Sequence, residues 1–406
     1  MKIANRKIII LTRQESGKAK RMRAIGLIAA CCSLALGQAL AQDQYNVTTL
    51  DSLGGNSSGG NSVNNRGNTA GYSNLAGDTS RHAVVWRNDD SHSLVDLGTL
   101  GGPNSSVTWN VKNDRGLIAG IAQTNMPDPL GELWSSAFFY PGPDNAGFIN
   151  RGFIWQNGKM RSLGTLGGNH SFAAGANNHN EVVGWAENNC HDDTCVPPQI
   201  LQFRPVIWGP RKDQMRELPL ISGDTSGAAT AINDQHVAVG ISGICDQAVG
   251  RYTAKHAVIW SSGGVTDIGN LGAEFWNTPT AINQEGVVVG FAGVPGFPEG
   301  DFLHAFLRTE SDGIQPLDPL PGDLDSEAYG INSNGTVVGV SCDADGICRG
   351  VRWDDGVMTD LNDLKQPEFI DRIETAKDIN DAGEITGRAI SDAGVRTSYL
   401  AVPTDN

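Results

Sequence analysis

The phrase Ile-Asn-x-x-Gly-x-Val-Val-Gly, clearest at Ile282–Gly290 and Ile331–Gly339, returns along this chain with a period of roughly 50 residues. Its asparagine recurs at Asn64, Asn113, Asn177, Asn233, Asn283, Asn332 and Asn380. Seven residues after each stands a glycine: Gly71, Gly120, Gly184, Gly240, Gly290, Gly339 and Gly387. A long fixed period restricts the fold to arrays or rings of one small unit that buries its apolar faces against its neighbours. The motif itself reads as a hairpin. An Asn side chain can bond backbone two residues further on and so open a turn. Three residues after the Asn stand Gly67, Gly116, Asn180, His236, Gly286, Gly335 and Gly383, types that tolerate positive φ. The recurring asparagines are therefore expected to be structural and not catalytic.

The rest of each unit reads as strands. Before the Asn, small residues alternate with period two (Ala229/Ala231, Ala173/Gly175, Ala328/Gly330, Gly60/Ser62), as in a strand crowded near an axis; Trp109, Pro279 and Asp378 break the pattern. A β-branched strand follows the turn, then a variable loop. The third strand reads His82–Trp86, Arg151–Trp155, Arg204–Trp208, His256–Trp260, His304–Arg308, Arg349–Trp353 and Thr397–Ala401. The last element, Leu-x-x-Leu, runs from Leu50–Leu53 to Leu361–Leu364; the first copy precedes the first Asn motif and none follows the seventh. A ring uses this offset by letting Tyr45–Leu50 complete the last sheet, which removes the exposed edges of an open array. The expectation is an all-β, seven-bladed β-propeller of four-stranded antiparallel blades, closed by the N-terminal strand. An open β-solenoid is the alternative. The 51 glycines and only 18% charged residues suit many short strands and tight turns.

Residues 1–41 read as a signal peptide, leaving 42–406 as a single seven-repeat domain. Lys18, Lys20, Arg21 and Arg23 flank the apolar run Ala24–Leu36, and Ala39-Leu40-Ala41 supplies a small-x-small site. Ile28-Ala29-Ala30-Cys31 offers a second reading, a lipid anchor at Cys31. Without the leader the chain carries 22 basic and 44 acidic side chains. A surface that acidic repels phosphate backbones and anionic lipid, so no nucleic acid and no membrane insertion is expected, and the chain is read as an exported monomer. An oxidising compartment favours short-loop disulfides, and Cys190 with Cys195 and Cys342 with Cys348 are the candidate pairs, with Cys245 left over.

His-Ala-Val-Ile-Trp (His256–Trp260), His-Ala-Phe-Leu (His304–Leu307), Asp-Leu-Gly-Thr-Leu-Gly-Gly (Asp96–Gly102) and the Asn motif together resemble the HAF-family extracellular repeat of bacteria. The resemblance runs from about Tyr45 to about Pro403. It implies an exported bacterial repeat protein and brings no catalytic residues. Arg replaces the leading His in three units, and Arg308 the closing aromatic in another.

The variable loops after the second strand share one face with the loops that enter the next blade, the face on which propellers usually bind. Aromatic and acidic residues gather there: Trp134, Phe139, Tyr140, Trp185, Asp192, Asp193 and Trp276 are the candidate binding residues, as a stacking platform for a glycan or a contact patch for a protein. No nucleophile elbow, HExxH helix, phosphate loop or nucleotide fingerprint occurs, so no catalytic residue is assigned. No metal site is assigned either: His82, His256 and His304 lie on different blades. No cofactor is expected beyond calcium at a surface loop such as Asp343-Ala344-Asp345-Gly346. The expected function is a non-catalytic binding or scaffold module for an extracellular glycan or protein. The alternatives are a polysaccharide hydrolase or lyase, expected to gather carboxylates, or Tyr or His with Arg, at the channel mouth, and a purely structural envelope protein.

Overall fold

The structure is a computed structural model, and it describes residues 44–132, 139–141, 147–262, 264–295 and 302–404. The leader, and Trp134 in the longest loop, lie outside the described residues. Seven four-stranded antiparallel sheets follow one another, with inner strands Gly54–Val63, Gly101–Ser106, Gly167–Ala176, Ser226–Ile232, Thr278–Ile282, Asp325–Ile331 and Arg372–Ile379 opening blades 1 to 7. Blade 7 takes its outer strand from the other end of the chain: Tyr45–Thr49 pairs antiparallel with Arg396–Pro403, Tyr45 opposite Pro403 and Thr49 opposite Tyr399. The amide of Gln366 also brackets the incoming strand, accepting from Val47 N (2.7 Å) and donating to Val47 O (2.8 Å).

The recurrent Asn closes the ring. Each of the seven donates its side-chain N–H to the backbone carbonyl of the next one, Asn64 to Asn113 and so on through Asn332 to Asn380. Asn380 donates back to Asn64 O at 3.0 Å, which completes a closed circle and rules out an open solenoid. The side-chain oxygen of the same residue clips its own hairpin: Asn233 accepts from Gln235 N and Val237 N, and Asn283 from Glu285 N and Val287 N. One amide thus satisfies three backbone groups that a buried turn would leave without partners.

The glycine seven residues on has an equally local cause. Most inner strands carry a β-bulge two to four residues before the Asn, for example between Ala229 and Ala231. The bulge turns an inner-strand carbonyl toward the second strand. A Cβ would lie 1.9 Å from Gly59 O at Gly71, 2.0 Å from Ala228 O at Gly240 and 2.0 Å from Thr375 O at Gly387. Only glycine lets the two backbones approach so closely.

Blades join through the Trp and Leu-x-x-Leu elements. The indole N–H of Trp86, Trp208, Trp260 and Trp353 donates to Asp51 O, Gly164 O, Pro219 O and Asp318 O, each just after the first Leu or equivalent of the preceding unit. The leading residue of the third strand pairs with an acid on the fourth: His82 with Asp96 (2.9 Å), Arg204 with Glu217 (2.7 Å) and His256 with Asp267 (2.8 Å). The exchange of His for Arg therefore keeps a nitrogen that bonds the acid opposite it.

Blade 2 departs from the others. Its inner strand stops at Ser106, and residues 107–113 run irregularly toward the axis. Asn110 Nδ2 reaches Tyr329 O on blade 6 (2.7 Å), and Lys112 Nζ reaches Ile379 O (2.6 Å) and Asp378 Oδ1 (2.5 Å) on blade 7. The channel is bridged at this level. Asp378 also accepts from Val63 N across the closure, which explains its break in the small-residue pattern.

Candidate functional site: a cationic cavity at the channel mouth

On the loop-bearing face the channel opens into a cavity of about 550 Å³. Asn61, Ser106 and Thr108 lie at its base beside the bridging segment. Tyr72, Arg81 and Phe139 line one side, and Thr375, Lys377, Arg388 and Arg396 line the other. The repeat explains their placement. Tyr72 and Arg388 each follow the obligatory second-strand glycine, Gly71 and Gly387. Arg81 and Arg396 each stand just before the position that His82 holds in its unit. The same two repeat positions on adjacent blades, 1 and 7, therefore face one space.

The electrostatics are unusual for so acidic a chain. Among the described residues no Asp or Glu lines the cavity, while four cations do. Glu374 lies behind them, held by Arg388 Nε at 2.6 Å and Arg396 Nε at 3.3 Å. Burial pushes its carboxyl up, but the two guanidinium groups outweigh that and hold it below its usual range. Arg81 hydrogen-bonds only neutral acceptors, Asn74 Oδ1 and Phe139 O, both at 2.8 Å, and its guanidinium covers the Tyr72 ring at 3.8 Å. The Tyr72 hydroxyl lies 3.5 Å from Arg388 Nη1. Burial raises this phenol, and the charges of Arg388 and Arg81 more than reverse the effect, leaving it below its ordinary value. Lys377 stacks its ammonium over the Tyr329 ring at 3.3 Å, and Tyr329 OH donates to Glu327 (2.7 Å). Burial lowers Lys377 to about 8 against the opposing pull of Glu327. Glu374 and Glu327 offset part of this charge from behind, while the described lining itself is cationic.

The residues expected from sequence are placed differently. Phe139 does line the cavity, but its ring also packs on Phe172 (5.5 Å). Trp185 is 1% exposed and stacked on Phe172 at 4.1 Å, and Tyr140 is buried in the same cluster. The expected aromatic platform is thus corrected for Trp185 and Tyr140: they pack the long loops onto blades 2 to 4 and do not line the cavity. Asp192 caps its own turn through Thr194 N (2.9 Å), Asp193 is exposed, and Trp276 is half-buried outside the cavity. Asp343 likewise accepts from Asp345 N and Ile347 N as a turn residue. Of the expected cysteine pairs, Cys342 bonds Cys348 as expected, while the other is corrected: Cys195 bonds Cys245, and Cys190 is free and exposed. Cys195 and Cys245 are 50 residues apart, one repeat, so they meet as neighbours on adjacent blades, where Val196 N also donates to Asp246 O.

Asp128, Glu132 and His170 form a second, buried cluster with the proximity of metal ligands. The hydrogen-bond pattern argues against it as an open site. Asn150 N donates to His170 Nδ1 (3.1 Å), which assigns the ring proton to Nε2, facing Asp128 Oδ2 at 3.4 Å. An ion at Nε2 would have to displace that proton while Nδ1 stays engaged as an acceptor.

No protein family profile and no curated relative matches the chain. Among solved structures it resembles a gluconolactonase from Xanthomonas campestris, with 10% identity over 72% of this chain and 97% of that one and a TM-score of 0.35. It resembles a glucose dehydrogenase with 11% identity over 89% and 100% of the two chains, TM-score 0.35. It also resembles the Trypanosoma rangeli sialidase in complex with the inhibitor DANA, with 9% identity over 89% of this chain and 55% of that one, TM-score 0.36.

Proposed function

We propose that this chain is an exported propeller whose channel-mouth cavity binds a carboxylate-bearing sugar residue of an extracellular glycan. The observation that carries the reading is the convergence of Arg81, Lys377, Arg388 and Arg396 on one cavity with no lining acid among the described residues. Guanidinium groups match a carboxylate's geometry, and hydrogen bonds to charged groups contribute more than neutral ones, about 1.5–3 kcal/mol each. The cavity is of the size that takes one or two sugar rings, and the Tyr72 and Phe139 rings supply apolar edges. Export rests on the leader and agrees with the two disulfides and with the HAF-like repeats. Among the described residues no helix is long and apolar enough to cross a membrane. The chain-wide acidity disfavours long polyanions at a distance, so recognition rests on the short-range fit of one anionic residue.

The test is titration calorimetry with oligogalacturonate against a neutral glucose oligomer of equal length. The acidic oligomer is expected to bind and the neutral one not, with Lys377→Met weakening binding at least tenfold. Equal binding of the two, or no binding of the acidic one at millimolar concentration, refutes the proposal.

A further inference from the structure

We infer that the cavity also cleaves its acidic glycan, by β-elimination, with Tyr72 as the proton-abstracting base and Lys377 as the acid that protonates the leaving oxygen. This rests on the binding reading above.

The lining chemistry selects the reaction. Hydrolysis of a glycosidic bond ordinarily requires two carboxyl groups flanking it. Among the described residues no carboxylate lines the cavity, and Glu374 behind it is held by Arg388 and Arg396. A uronate offers another route, because its carboxylate acidifies the hydrogen on the adjacent ring carbon, C5. Elimination then needs cations on the carboxylate to hold the charge that develops, a base near C5 and an acid near the oxygen on C4. Arg388 and Arg396 supply the first. Tyr72 supplies the second, its hydroxyl beside Arg388 Nη1 and its ring under Arg81, so that a phenolate there faces two guanidinium groups. Lys377, across the cavity on blade 7 with its ammonium over the Tyr329 ring, supplies the third.

The step balances without a co-reactant. The Tyr72 phenolate takes the C5 proton, and the C5–H electron pair forms the C4=C5 double bond. The C4–O bond breaks, its electrons go to the leaving oxygen, and Lys377 gives that oxygen a proton. The products are an unsaturated uronate and a new hydroxyl end; Tyr72 returns its proton to solvent and Lys377 regains one. The charges of Arg388 and Arg81 lower Tyr72 and burial lowers Lys377, which eases both exchanges.

The experiment follows the ultraviolet absorbance of the conjugated double bond when the protein is mixed with polygalacturonate or alginate, with binding of the matching oligomer measured in parallel. Wild type is expected to generate the absorbance, and the rate to fall as pH rises through about 8, where Lys377 loses the proton it must give. Tyr72→Phe should keep its thermal midpoint and bind within about threefold of wild type, yet lose about 100-fold or more in rate. Binding without any absorbance overturns elimination and leaves the binding proposal standing. Absorbance unchanged in Tyr72→Phe overturns the role of Tyr72. Absence of binding overturns the functional proposal and elimination with it.

Discussion

If the asparagine circle holds the ring together, replacing one member costs far more than an ordinary polar-to-alanine change. Asn233 is 3% exposed. Its oxygen accepts from Gln235 N and Val237 N at 3.1 and 3.0 Å, and its N–H donates to Asn283 O at 3.1 Å. Asn233→Ala leaves two donors and one acceptor without partners in a place that water reaches poorly. At about 1 kcal/mol for each, the loss is about 3 kcal/mol. Asn233→Asp separates the two roles: it retains both acceptors, loses the donor and sets a carboxylate against the Asn283 carbonyl. That variant should be destabilised at neutral pH and recover in acid, where a protonated carboxyl can donate again. Urea unfolding followed by tryptophan fluorescence reads both, at unchanged denaturant slope. An alanine variant within about 0.5 kcal/mol of wild type, or an aspartate variant as stable as wild type at pH 7, refutes the argument that the circle bears on stability.

Two further outcomes test the local geometry. Gly240→Ala, whose Cβ would meet Ala228 O at 2.0 Å, should prevent blade 4 from closing and yield insoluble chain, whereas Gly286→Ala, at φ +80° with open space around it, should cost only about 1–2 kcal/mol; similar soluble yields and unfolding midpoints for the two would contradict the close-approach account. Glu187 is fully buried, and burial raises its carboxyl from 4.5 to about 7. The folded state then holds a proton that the unfolded state releases, so stability should fall by up to about 3 kcal/mol as pH rises from 4.5 through 7, and Glu187→Gln should flatten that slope in urea midpoints taken across the range; an equal slope in both proteins would count against it.

The fold was legible because the repeat dictates it through backbone geometry. Asn, positive-φ residue, glycine and Leu-x-x-Leu each answer a need that recurs in every blade, and the displaced first Leu-x-x-Leu announced the closure by Tyr45–Thr49. Disulfide pairing was less legible, since short spacing favoured Cys190 with Cys195 while the fold placed Cys195 opposite Cys245, one period away. Loop aromatics misled for a physical reason. A long insertion must bury something to stay ordered, and Tyr140, Phe172 and Trp185 are what it buries. Net charge was silent on the cavity, because a sum over the chain says nothing about four cations gathered at one mouth.

The cationic cavity nonetheless had a signal in the sequence, in the exceptions to the repeat. The position after the second-strand glycine is Ile121, Trp185, Ile241, Phe291 and Val340 in blades 2 to 6, but Tyr72 and Arg388 in blades 1 and 7. The position three before the Asn is Thr230 and Thr280 in blades 4 and 5, each hydroxyl bridging to the next blade's carbonyl, but Tyr329 and Lys377 in blades 6 and 7. Scaffold residues repeat because every blade has the same packing problem. A ligand meets only one sector of the ring, so the groups that would touch it depart from the consensus, and they do so at neighbouring blades. Tyr72, Arg81, Lys377, Arg388 and Arg396 meet both conditions, and the blades that carry them are the pair joined by the closure. In a ring of repeats, the positions that carry function are therefore sought where identity breaks at a position whose backbone role is kept.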